Sequence, residues 1–218
     1  METIFDIFYS NKDEVRAKQM SAYMRDQFPF LGIGSVKRDE ISKQFFLNLD
    51  KSQKINWNFV FECFQKPERE FTYFALNYID KLKSNISEDE FYYFEKLVAI
   101  RPWWDSIDSI APIIGFICRK YNSLVSSYIL PWAYSDNKWL IRISIIYQLK
   151  YKKNTDIEIL SKVILKNNNS SEFFVDKAIG WALRQYARTD SEWVYEFVNN
   201  HYLSKLSKRE ALKRIRSK

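Results

Sequence analysis

The chain has 218 residues, with 34 Lys and Arg against 27 Asp and Glu, a formal charge of +7. So few glycines, four in all, argue against turn-rich sandwiches and barrels and against glycine-rich phosphate loops. A single histidine, His201, and two cysteines, Cys63 and Cys118, exclude a zinc site of several Cys and His ligands, and any histidine-based triad unless His201 serves alone.

Helical periodicity dominates from the start of the chain. Asp13 to Phe28 places Val15, Ala17, Met20, Tyr23, Met24 and Phe28 near one face. Trp57 to Phe64, Phe71 to Leu82, Glu88 to Ile100, Leu140 to Tyr151 and Ile157 to Leu165 read the same way. Short polar separators such as Lys66-Pro67-Glu68, Ser135-Asp136-Asn137 and Thr189-Asp190-Ser191 supply N-cap residues or a proline start. No series of strands is expected. Aromatic residues recur near the start of every second helix, at Phe71, Trp104, Trp139 and Phe174, a period of about 35 that marks helical repeat arrays. A two-helix unit cannot bury its apolar face alone, so such units stack into a curved solenoid. The expected fold is therefore all-α: one domain over 1–218, with a concave face lined by the second helices. A compact non-repeating helical bundle is the alternative.

Charge is uneven along the chain. Residues 1–100 are slightly acidic, and the last 18 residues carry seven basic side chains against one acidic. There Ser207-Lys208-Arg209-Glu210 has the form of a capping box, and Ala211, Leu212 and Ile215 form an apolar stripe. This basic helix is either a solvated end whose cations suit the helix dipole or a phosphate-contacting surface. Two cysteines make no disulfide framework, and Met1 to Tyr9 is acidic and amphipathic rather than a targeting segment, so a cytoplasmic protein is expected. The longest apolar stretches, such as Ile110 to Cys118, reach about half a membrane span.

Three segments could carry chemistry. In Pro102 to Ile110, Pro102 suits a first helical turn, Trp104 and Asp108 share one face, and Trp103 and Ile107 share another. Trp104 is then either a core residue near a helix-stabilising aspartate, or an indole beside a carboxylate able to hold a sugar and stabilise positive charge on it. Next, Lys138 and Arg142 lie four apart, and an anionic partner would explain two like charges on one face. Lys150, Lys152 and Lys153 follow at the end of that helix, where cations are favourable in any case. Last, Lys177, Trp181, Arg184 and Gln185 lie on one side of a helix. Gly180 there either packs helix against helix or admits a ligand closely. Cys63 and Cys118 are expected to be buried apolar residues and His201 a surface residue.

In order along the chain, Ala22-Tyr23-Met24, Phe30-Leu31-Gly32-Ile33, Pro67-Glu68-Arg69-Glu70-Phe71, Trp103 to Ser109, Ser135-Asp136-Asn137, Lys177 to Trp181 and Leu206 to Ala211 together resemble the AlkD-like DNA alkylation repair family, bacterial glycosylases built of HEAT-like helical repeats. The resemblance runs almost from end to end. It implies base excision repair: removal of cationic N3- or N7-alkylated purines from duplex DNA, with no metal or cofactor. A monomer is the natural expectation for a DNA-wrapping solenoid, with no membrane and no obligate protein partner. It implies that Asp108 is the catalytic aspartate, that Trp104 and Trp181 bracket the lesion's deoxyribose, and that Arg142 lies near the lesion backbone. It places Tyr23, Lys150 and Arg184 against DNA, with the basic helix of Lys208 and Arg209 a further contact. It also implies that the backbone is gripped while the base stays stacked, without base flipping. The first helix, roughly Glu2 to Tyr9, reads as about one turn shorter than in active members. A non-catalytic relative that binds branched or structured DNA is therefore the alternative.

Overall fold

The protein is described by a computed structural model covering residues 2–215. Among these residues all regular structure is helical, as the periodicity implies. No described helix is long and apolar enough to cross a membrane. The chain divides into two compact units, Met1–Ile100 and Arg101–Lys218. Arg216 and Lys218 of the basic tail lie outside the described residues.

The first unit holds α1 (Ile4–Ser10), α2 (Glu14–Tyr23), α3 (Ser35–Leu47), α4 (Trp57–Gln65), α5 (Arg69–Leu82) and α6 (Tyr92–Ala99). Its core gathers around α5, where Phe71, Phe74 and Ile79 are fully buried and Phe8 stacks on Phe71. The helix expected over Asp13 to Phe28 stops at Tyr23. Arg25 and Asp26 turn left-handed, with φ of 55° and 54°, and the Ser21 hydroxyl donates to the Phe28 carbonyl across the turn. Met24 and Phe28 are buried as expected, but Val15 and Tyr23 are exposed.

Two motifs of this unit form one device. Glu70, at the start of α5, is fully buried, and its carboxylate accepts hydrogen bonds from the backbone N–H groups of Leu31, Gly32 and Ile33. Gly32 sits at φ +89°, and a Cβ there would lie 2.0 Å from the Asp13 carbonyl oxygen. Arg69, also fully buried, lies over the Phe28 ring at 4.0 Å and donates its backbone N–H to Pro29.

The second unit holds α7 (Trp104–Lys120), α8 (Leu130–Trp132, continuing a π-turn over Val125–Ile129), α9 (Lys138–Ile146), α10 (Ile157–Asn167), α11 (Phe173–Tyr186), α12 (Ser191–Asn200) and α13 (Lys205–Ala211). Helices α7, α9, α11 and α13 pack in sequence against one another, with α8, α10 and α12 packed between them along the chain. Side-chain hydrogen bonds repeat at a separation of 34 residues: Asp108 with Arg142, Lys138 with Glu172, Asn167 with Ala133 and Asn168 with Tyr202. Residues one repeat apart therefore meet, as stacked helix pairs require. Asn137, Asp156 and Asp190 cap α9, α10 and α12 through their side chains, and of these Asn137 and Asp190 lie in the polar separators expected to supply caps.

Three local expectations need correction. Helix α9 begins at Lys138 and ends at Ile146, so Lys150 lies in the turn beyond it. Trp103 is the N-cap of α7, so Pro102 precedes the helix and Trp103 lies outside it. The N-cap of α13 is Ser204, whose hydroxyl accepts from the Ser207 N–H; Ser207 is the third helical residue and forms no capping box with Glu210. Among the described residues capping boxes form at Thr3 with Asp6 and at Ser87 with Glu90.

Candidate active site

The site grows from the first turns of α7 and α9. Asp108 stands one turn after Trp104 on the same face of α7, and both remain partly exposed. Arg142, one repeat later on α9, is only 5% exposed. Its Nε donates to Asp108 Oδ1 at 2.7 Å and its Nη2 to Oδ2 at 2.9 Å, a bidentate clamp. Its Nη1 donates to the Phe174 carbonyl at the start of α11, at 2.5 Å. Behind this clamp Trp103, Trp139 and Phe174 pack together, with ring centroids 5.0 to 5.9 Å apart. These rings fix the backbone from which Arg142 projects and the carbonyl it binds.

Burial pushes the Asp108 carboxyl above its ordinary pKa, while the hydrogen bonds and charge of Arg142 pull it back toward ionisation. The carboxylate side chain keeps 20% of its surface exposed. It is thus oriented on one side and open on another. Trp181, on α11, is partly exposed, and its ring centroid lies 5.9 Å from the Arg142 guanidinium carbon. Asp108, Arg142 and Trp181 therefore form one group, with Trp104 on the Asp108 face.

The anionic partners sought for Lys138 and Arg142 are internal. Lys138 pairs with Glu172 and Arg142 with Asp108, so these two cations need no external anion to explain them. Gly180 packs helix against helix: a Cβ there would lie 2.4 Å from the Glu210 Cβ and 2.9 Å from the Ser207 carbonyl oxygen. Arg184 binds Glu210, which the capping-box pattern of the sequence does not foretell. Lys150 and Arg209 are exposed and Lys208 is half-buried. Tyr23 is 72% exposed at the end of α2, in the first unit. Cys63 and Cys118 are buried, and burial drives both thiols up to about 12. His201 stacks on Phe197. Among the described residues no group of three His, Cys, Asp or Glu side chains could hold a metal ion.

The family model for DNA alkylation repair enzymes matches residues 6–215, and so takes in α7, α9 and α11 together with the first unit. The chain belongs to the DNA alkylation repair enzyme family. It is similar to the solved structure of a predicted DNA alkylation repair enzyme from Enterococcus faecalis, with 31% identity and a TM-score of 0.88 over 94% of this chain and 97% of the other. No curated protein matches it. The likeness takes in residues of both units, so this member of the family shares its all-helical fold with that structure.

Proposed function

We propose that this protein is an alkylpurine-DNA glycosylase, acting on cationic N3- and N7-alkylated purines in duplex DNA with Asp108 as its catalytic carboxylate. The observation that carries the reading is the clamp of a buried arginine on a carboxylate that remains open, with Trp104 one turn before the carboxylate and Trp181 beside the arginine. Cleaving an N-glycosidic bond builds positive, oxocarbenium-like charge on the deoxyribose. A fixed carboxylate stabilises that charge without reorganising during the reaction, and it can orient the attacking water. Trp104 and Trp181 offer electron-rich faces to the same centre, each contributing ~0.5–2 kcal/mol.

The leaving group needs no acid. A 7-alkylguanine or 3-alkyladenine is already cationic and departs neutral, so one carboxylate suffices, and the reaction needs no metal. Arg142 acts through Asp108. It holds the carboxylate ionised and aimed, and is in this reading a positioning residue rather than a phosphate anchor. Tyr23, Lys150, Lys208 and Arg209 would contact the duplex backbone, with Arg184 beside Trp181 as a further cation. The base need not leave the stack, because recognition is of sugar charge and backbone. The protein would act as a monomer in the cytoplasm.

The test is release of 7-methylguanine and 3-methyladenine from methylated duplex DNA. The wild type is expected to release both. Asp108→Asn is expected to release both at least about 100-fold more slowly while still binding DNA. Undiminished release by Asp108→Asn would remove Asp108 from the chemistry.

A further inference from the structure

Beyond Trp181, on α13, lies a nearly sealed carboxylate. The Glu210 side chain is 5% exposed. Its Oε1 accepts from Lys177 Nζ at 3.2 Å and from Lys213 Nζ at 2.7 Å, and its Oε2 accepts from Arg184 Nη1. Burial alone would raise its pKa, but the hydrogen bonds from Lys213, Lys177 and Arg184 outweigh it and hold the carboxyl down at about 2.

One negative charge does not balance three positive ones. Lys177, Arg184 and Lys213 keep 38%, 27% and 52% of their side chains exposed while bound to that carboxylate. A single cation would be enough to neutralise a buried carboxylate. Here the carboxylate gathers cations instead, and their outward sides favour an anion.

The seating of Glu210 is built in. Gly180 leaves the space that the Glu210 Cβ approaches, and the Ser207 hydroxyl donates to the Asp176 carbonyl, tying α13 to α11. Lys177, Trp181 and Arg184 recur at i, i+4 and i+7 along one face of α11. The cations held by Glu210 thus flank the indole that lies beside Arg142.

We propose that Glu210 is a positioning residue for DNA: it fixes Lys177, Arg184 and Lys213 as a preformed cationic platform for backbone phosphodiesters next to Trp181. The inference rests on the functional reading above and deepens it. Lysine and arginine side chains lose rotamer freedom when they engage a phosphate. Holding them in place beforehand removes part of that cost from binding.

The expected sign opposes simple charge counting. Removing a negative charge from a DNA-binding face should tighten binding if charge alone mattered. If Glu210 positions the platform, its removal weakens binding.

The experiment measures the affinity of the full chain for unmodified duplex DNA across a salt series. Glu210→Gln is expected to bind about tenfold more weakly at low salt despite its extra positive charge. Lys177→Ala is expected to weaken the wild type several-fold and to have little further effect in the Glu210→Gln background. Melting curves without DNA show whether Glu210→Gln is folded. If it is not, the double variant Lys177→Gln, Lys213→Gln leaves Glu210 paired with Arg184, and its salt slope should be shallower by about two. Equal or tighter binding by folded Glu210→Gln, full additivity with Lys177→Ala, or an unchanged salt slope in the double variant would overturn the inference. A wild type that binds duplex DNA but releases no base would overturn the glycosylase reading alone. A wild type with no duplex affinity would overturn both.

Discussion

Glu70 and Asp108 are carboxylates near the starts of long helices, and the protein treats them in opposite ways. Glu70 is closed off completely and spends both oxygens on three backbone N–H groups of one loop. Asp108 is gripped by one guanidinium and keeps a fifth of its side chain in reach of solvent. Burial raises both pKa values, so both ions carry a desolvation cost. At Glu70 that cost is offset by a loop it holds in a left-handed turn. At Asp108 no such loop is organised, and the charge is left facing outward. An enclosed carboxylate serves folding, whereas an oriented and open one is available for chemistry.

Substitutions can break this contrast. The largest stability effect is expected from Glu70→Ala, which strands three buried N–H donors. It should destabilise the protein by at least about 3 kcal/mol in a urea titration. Gly32→Ala should follow at about 2 kcal/mol, because a side chain at φ +89° is strained and meets the Asp13 carbonyl.

On the Asp108 side, Arg142→Gln should slow base release about 10- to 100-fold by loosening the carboxylate. It should also move the acid limb of the pH–rate profile upward. The sign follows from the environment: burial raises the Asp108 pKa and Arg142 opposes it, so without Arg142 the carboxylate ionises only at higher pH. An unshifted limb would mean that Arg142 does not act through Asp108.

A pH-dependent effect concerns Glu210. Its folded pKa lies at about 2, below the ordinary value of 4.5, so its contribution to stability is complete above about pH 4.5 and is lost as pH falls toward 2. Acid titration of unfolding should show a shallower stability loss in that window for Glu210→Gln than for the wild type.

The contrast also explains what the sequence could and could not disclose. Helix starts at Asn137 and Asp190 are legible because a cap acts within three residues, and those at Trp57 and Ile157 because the apolar period begins there. The end of α2 was not, because the apolar pattern continues past Tyr23 while Arg25 and Asp26 turn the chain. The Glu70 loop anchor joins residues up to 39 apart, and no helical period predicts it. The Asp108–Arg142 clamp joins residues 34 apart, a spacing close to the aromatic repeat. The period itself therefore held the signal that these residues meet. The same rule would have paired Lys177 with Glu210, 33 apart, instead of assigning Glu210 to a cap.

The central claim is that the Asp108 carboxylate drives excision while the Glu70 carboxylate holds the fold. Single-turnover release of 7-methylguanine from methylated duplex DNA, measured at saturating protein for the wild type, Asp108→Asn and Glu70→Gln, tests it most directly. The account predicts that Asp108→Asn loses about 100- to 1,000-fold in rate with little change in melting temperature. It predicts that Glu70→Gln melts lower but excises at close to the wild-type rate while folded. Excision by Asp108→Asn at the wild-type rate would contradict it.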